Sequence, residues 1–364
     1  MSERQGASSR LGHLVSAGLN LNIWDFADLT LKLRFAQALE QGATRYPIHR
    51  SLRFAARVEL DALFDDIALG LGWRAQRLDS RALILDADGL FISAVGGRKA
   101  EYCSCYFGIW ADSPARAGAA RDSLLARVAD TRIREPMFAI DWHFLTAKGE
   151  LESADIEELA DDVLCDEAYP ELADGVSVFV GRYLDAVETV LVLQGPPGTG
   201  KTRLIRAILG ELSRRKAGGA QALYTGDIKA LEKDEIFVKF ITGWHDVFVV
   251  EDADHILKPR AAGNENLHRF LTIADGVVRA QGRKIIFSTN LPNIGDLDDA
   301  LVRPGRCFAR VHLRELEPAE GERLLARLCS GDPAKVARAS EALRGFGGSR
   351  YSLAQLYQSV RRAG

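Results

Sequence analysis

Apolar residues along this chain change their spacing repeatedly, and each change predicts an element. The clearest succession begins at residue 190. Val190-Leu191-Val192-Leu193 is an unbroken apolar run, as expected of a strand buried on both faces. After a glycine-rich stretch, Leu204, Ile205, Ile208, Leu209 and Leu212 recur at helical spacing. Ala222–Thr225, Val247–Val250 and Lys284–Phe287 predict further short strands, with helices around Lys233–Ile241 and near Val176–Tyr183. Strands alternating with helices predict an α/β fold, a parallel sheet with helices on both faces. Farther on the pattern turns wholly helical: Pro318–Cys329, Pro333–Leu343 and Ser349–Arg361 read as three short helices.

The first 150 residues follow a different rhythm. Residues 1–22 are polar and predict a flexible tail. Asp25–Gln41 and Leu52–Leu71 carry helical patterns, with Leu29, Leu33, Ala36 and Leu39 on one face of the first. Arg81–Asp86 and Leu90–Val95 flank Asp88-Gly89, a tight-hairpin signal. Glu101–Trp110 predicts a further strand, and Ser113-Pro114 caps a helix running to about Val128. A last strand, Met137–Leu145, places Phe138, Ile140, Trp142 and Phe144 on one face. Residues 23–149 therefore predict a small α+β domain with a mostly antiparallel sheet. Tyr102, Tyr106 and Trp110 share a strand face, where packing under a helix is expected over a binding surface. Asp141 and His143 share a face too, but without further ligands they predict no metal site. The acidic segment 150–168 reads as a solvated helix linking two domains.

At 364 residues the chain is long enough for two or three domains. Nearly half of it is apolar, yet no run approaches the roughly 18 residues of a membrane span, so a soluble protein is expected. A net charge of −3 gives no general reason to expect a nucleic-acid partner. The five cysteines lack zinc spacing and predict a reducing, cytoplasmic compartment.

The chemistry gathers in the glycine-rich stretch Gly195-Pro196-Pro197-Gly198-Thr199-Gly200-Lys201-Thr202. A strand, a loop of this kind and a helix form a phosphate cradle, in which backbone N–H groups and the helix N-terminus face the anion. Lys201 is expected to reach the terminal phosphates of a nucleoside triphosphate, and the Thr202 hydroxyl to join a magnesium shell. Glu251 and Asp252 close the Val247–Val250 strand, where carboxylates hold magnesium or polarise the attacking water; which does which stays open. Asn290, ending the next strand, is placed to orient that water. Arg303 and Arg306, in a proline-constrained loop, suit arginine fingers that stabilise charge on the transferred phosphate.

In order and separation, Gly195–Thr202, Val247–Asp254, Ser288–Asn290 and Leu297–Arg306 resemble the Walker A, Walker B, sensor 1 and arginine-finger segments of AAA+ ATPases. Arg303-Pro304-Gly305-Arg306 and the Phe270-Leu271…Asp275-Gly276 stretch resemble the AAA proper group, and the reversed Glu251-Asp252 order its Rieske-protein translocase-like subfamily with its bacterial relatives. The resemblance implies ATP and Mg2+ as cofactors, a large ATPase subdomain over 169–314 and a helical lid over 315–364. It implies Asp252 at the position of the catalytic carboxylate and Glu251 at that of the magnesium-linked one. Arg303 and Arg306 would act on a neighbour's nucleotide in a homo-oligomeric ring, usually of six subunits, and Arg350 falls where sensor 2 sits. The function implied is remodelling or translocating a protein client bound through residues 23–149. The alternatives are an ATP-dependent assembly scaffold with slow turnover and, third, a DNA-associated motor, for which Lys258 and Arg260 are the residues to watch. Gly226–Lys233 offers no aromatic pore-loop triplet, so the resemblance does not extend to hand-over-hand threading. Nor does the chain show the membrane anchor of its translocase-like relatives.

Overall fold

The computed structural model describes residues 23–41, 46–99, 102–134, 137–159, 165–216, 220–258, 267–274, 282–293, 297–301 and 303–363. The expected tail over residues 1–22, Arg260 and the Asp275-Gly276 pair lie outside them. The described chain divides into two compact units, Met1–Arg134 and Glu135–Gly364. Among the described residues no helix is long and apolar enough to cross a membrane.

The first unit holds β1 (Ile48–Ala56), β2 (Arg74–Arg77), β3 (Ala82–Ala87), β4 (Leu90–Arg98), β5 (Cys103–Ala111) and β6 (Arg132–Ile133). They form an antiparallel sheet in the order β2-β3-β4-β5-β1-β6. The hairpin read from Asp88-Gly89 is present, with Gly89 at φ 69, a turn conformation that glycine adopts without steric cost. Its helices are α1 (Ile23–Glu40), α2 (Leu60–Gly70) and α3 (Pro114–Ala126). Leu60, Leu63, Phe64 and Ile67 of α2 and Ala117, Ala120 and Leu124 of α3 close one core with Leu52, Phe54, Phe107 and Ile109 of the sheet.

One expectation is corrected here. The helical pattern over Leu52–Leu71 holds only from Leu60; Leu52–Ala56 is strand, paired residue for residue with β5. Leu52, Phe54 and Ala56 join the core of this unit while Arg53 and Ala55 between them do not, the period of two of a strand. Trp110 packs under a helix as expected, its ring 4.7 Å from that of Phe35 in α1. The Arg53 guanidinium lies over the Tyr106 ring, whereas Tyr102 precedes the strand.

Alternation along β9 (Val190–Gln194) organises the second unit. Leu191 and Leu193 face one core, Val190 and Val192 the other, and the whole strand is buried. The remaining strands are β7 (Met137–Leu145), β8 (Leu151–Leu159), β10 (Ala220–Thr225), β11 (Val247–Val250), β12 (Lys284–Thr289) and β13 (Cys307–His312). Their order is β13-β9-β12-β11-β10-β7-β8, parallel throughout except for β8. The helices are α4 (Val176–Asp185), α5 (Lys201–Arg215), α6 (Asp234–Thr242), α7 (Asp254–Leu257) and α8 (Leu267–Ala274), then α9 (Pro318–Leu328), α10 (Pro333–Arg344) and α11 (Leu353–Ala363). Leu204 and Ile208 of α5 share a core with Leu324 and Leu325 of α9 and Leu353 and Leu356 of α11. Phe237 and Phe240 of α6 and Phe270 of α8 fill the opposite side around Phe248 and Phe287. The α/β fold with a helical C-terminal part is therefore as expected.

The boundary between the units is not. Strand Met137–Leu145, read with the N-terminal domain, pairs in parallel with β10 and belongs to the second sheet. Among its described residues, segment 150–168, read as a solvated helix, holds β8 over Leu151–Leu159, paired antiparallel with β7, and a 3-10 turn over Asp166–Ala168. The hairpin covers the otherwise open N–H and C=O groups of β10.

Candidate nucleotide-binding site

The carboxyl ends of β9, β10, β11 and β12 converge on the loop that joins β9 to α5, where open parallel sheets bind ligands. Two glycines there are fixed by contact. A Cβ at Gly195 would come within 2.0 Å of the Leu313 carbonyl oxygen. At Gly200 (φ 92) it would meet Leu353 at 2.6 Å and the Tyr169 hydroxyl at 2.9 Å. Tyr169 donates its hydroxyl to the Gly200 carbonyl at 3.0 Å, and Ala354 N–H donates to the Gly198 carbonyl at 3.1 Å. The first turn of α11 thus rests directly on the loop. Thr199 is buried and donates to the Pro196 carbonyl, while Pro196 and Pro197 are exposed.

Lys201 opens α5 and is 8% exposed. Its ammonium donates to the carbonyls of Gly195 (2.6 Å) and Pro196 (3.0 Å) and to Asn290 Oδ1 (2.8 Å). Burial lowers its pKa, opposed by the charges of Asp252, Asp254 and Glu251. The Thr202 hydroxyl donates to Glu251 Oε1 at 2.5 Å. Asn290 Nδ2 donates to Asp252 Oδ1 at 2.9 Å, so one amide joins the loop lysine to the β11 carboxylate. Asp252 has φ 50, and aspartate is among the few side chains that enter this left-handed region readily. The shorter carboxylate of the pair therefore stands where the backbone favours it.

Three contributors escaped sequence reading. Asp254 Oδ1 accepts from the Thr289 hydroxyl (2.5 Å) and from Asn290 N–H (2.8 Å), fixing the segment that carries Asn290. Gln194 Nε2 donates to the carbonyls of Leu291 and Asn293 beyond it. Tyr224 of β10 donates its hydroxyl to Glu251 Oε2 at 2.7 Å. Asp254 was visible as the last residue of Glu251-Asp252-Ala253-Asp254; the other two had no signal, because their partners lie beyond the ends of other strands.

Lys201, Thr202, Glu251, Asp252 and Asn290 are thus brought together. Arg303 and Arg306 are not. The Arg306 carbonyl accepts from Thr189 and Val190 N–H, at the end of β9 opposite the loop, and Arg303 is exposed. Arg350 lies outside the cluster, paired with Glu317 at 2.7 Å.

The donor set fits magnesium and a triphosphate. A hydroxyl and two carboxylates are the hard oxygen ligands magnesium takes, and a buried ammonium beside a helix N-terminus suits phosphate. Residues 191–315 match the family model described as the ATPase family associated with various cellular activities (AAA). This stretch is similar to an AAA domain. ATP and Mg2+ are the ligands, and ATP hydrolysis the chemistry, that such a domain implies. The chain is similar to an AAA-ATPase of Arabidopsis thaliana, 34% identical over 39% of this chain and 33% of that protein. It is similar to the ATP-dependent zinc metalloprotease FtsH 2 of Sorangium cellulosum, 31% identical over 47% of this chain and 28% of that protein. A third relative is the ATP-dependent zinc metalloprotease YME1 homolog of Caenorhabditis elegans, 31% identical over 43% and 21%. The chain spans a third or less of the length of these relatives.

Proposed function

We propose that this chain is an ATP-hydrolysing AAA ring ATPase that remodels or translocates a protein client. The observation that carries the reading is the bridge made by Asn290, which ties Lys201 to Asp252 across the ends of neighbouring strands. In that arrangement Gly195–Thr202 and Lys201 would hold phosphates and Thr202 and Glu251 the magnesium, which would supply charge stabilisation at the phosphates. Asp252, exposed and oriented by Asn290, takes a proton from the attacking water.

The arginines support a homo-oligomer, with six subunits as the family's usual number. Between the β9 end that Arg306 touches and the loop lie four strand steps, about 13 Å, so Arg303 and Arg306 serve a nucleotide better from a neighbouring copy than from their own. A protein client agrees with relatives whose names describe proteases; residues 23–134 are where we place its binding. The translocase-like subfamily is retained as the finer assignment on the Glu251-Asp252 order. The scaffold reading, with slow turnover, draws on the same pair, since shifting a carboxylate by a methylene costs rate.

Mixing two inactive variants tests the reading. Asp252→Asn subunits should retain ATP and lose turnover by on the order of 100-fold or more. Combined with Arg303→Ala subunits they should regain measurable ATPase activity, because mixed neighbours rebuild complete sites. No regain at any ratio would place the arginine in its own subunit's site, and wild-type turnover of Asp252→Asn would remove Asp252 from the chemistry.

A further inference from the structure

Glu251 stands beyond β11 with a side chain one torsion longer than that of aspartate, so its carboxylate is less fixed by the backbone than its neighbour's. It is held from two directions. Thr202 Oγ1 donates to one oxygen at 2.5 Å, and the Tyr224 hydroxyl to the other at 2.7 Å. Tyr224 sits in β10 with its Cα opposite Val249 of β11 and Trp142 of β7. Its half-buried ring meets the Trp142 ring edge-on at 6.1 Å, and Trp142 meets Phe144 at 6.3 Å. The aromatic row fixes where the phenol points.

We propose that Tyr224 is a positioning residue for Glu251: its phenol anchors one carboxylate oxygen and aims the other, beside the Thr202 hydroxyl, at the magnesium of the bound nucleotide. The proposal rests on the reading of the site as one for magnesium and ATP. It gives the reversed Glu251-Asp252 order a physical complement, because the longer side chain needs, and here has, a restraint that a shorter one would not reach.

The test is the magnesium dependence of binding of a fluorescent ADP analogue to the full chain, with Tyr224→Phe, Glu251→Asp and the double variant. Phenylalanine keeps the ring and its packing against Trp142. In Tyr224→Phe the affinity for metal-free nucleotide should stay within about twofold, while half-saturating magnesium rises about tenfold, the loss of one hydrogen bond to a charged group. In the Glu251→Asp background the same change should have no further effect. An unchanged magnesium requirement in Tyr224→Phe overturns the proposal, as does an equal rise in both backgrounds. A wild-type chain whose nucleotide binding ignores magnesium overturns the site reading itself, and the proposal with it.

Discussion

Two groups of ionisable side chains sit on the second sheet, and they are built on opposite principles. At the nucleotide site Lys201, Glu251 and Asp252 each take partners that a ligand can replace: backbone carbonyls of the loop, two hydroxyls, one amide. Between β7, α6 and the segment before β11, Asp141 meets three partners. His143 Nε2 and His245 Nε2 each lie 3.1 Å from its Oδ2, and Lys239 Nζ lies 2.8 Å from the same oxygen. His143 and His245 are 2% and 7% exposed, so solvent reaches little of either imidazole. The first group has its charge open to a ligand; the second ties β7 to α6 and to the segment before β11. A charged cluster is therefore read by how replaceable its partners are; among the described residues no group of three or more acidic, histidine and cysteine side chains forms a metal site by itself.

The comparison breaks first at Lys201. Lys201→Ala should lower nucleotide affinity by on the order of 100-fold or more, since a buried charge-assisted contact to phosphate is lost. The fold should survive, because only loop carbonyls and Asn290 lose a partner. Calorimetric titration with ATP measures it, and unchanged affinity would dissolve the site.

Asp141→Asn is the counterpart. Burial opposes ionisation of Asp141, but its contacts with His143, His245 and Lys239 outweigh this and hold the carboxyl well below the usual range. A carboxyl so depressed stabilises the fold fully above its unfolded value of roughly 4, and that contribution is lost as the pH falls below it. Asp141→Asn should cost about 2 kcal/mol in local stability, read as faster hydrogen exchange of the β7 amides at neutral pH. Nucleotide affinity should not move. Equal exchange in both proteins would show that the cluster fastens nothing, and a fall in ATP affinity would join the two clusters into one.

What the sequence disclosed follows the same division. Chemistry that is local in the chain was legible: the loop from Gly195 to Thr202 carries its meaning in eight consecutive residues, and Ser113-Pro114 capped its helix as read. Chemistry that depends on pairing across the sheet was not. Met137–Leu145 was visible as a strand, but its partner Ala220–Tyr224 lies some eighty residues on, and nothing in either segment names the other. The acidic residues of 151–159 mislead for a related reason, since an edge strand with charged positions has the composition of a solvated helix. Tyr224, an unremarked strand residue in the sequence, acquires a role only when β10 lies beside β11.

The smallest effect separates the lid from the site. The family resemblance puts Arg350 where a nucleotide sensor would stand, yet the guanidinium pairs with Glu317 at 2.7 Å, with the two side chains 54% and 46% exposed. Contact between the lid and the phosphate loop runs instead through the turn after it, by way of Ala354 N–H and Leu353. An exposed ion pair of this kind contributes under about 1 kcal/mol. Arg350→Ala should therefore change ATP affinity less than about threefold at physiological ionic strength. A loss of tenfold or more would mean that Arg350 leaves Glu317 for the nucleotide when the lid closes. In that event Glu317→Gln, which frees the arginine without removing it, should tighten ATP binding; if the pair is only a surface contact within the lid, Glu317→Gln should leave binding as it was.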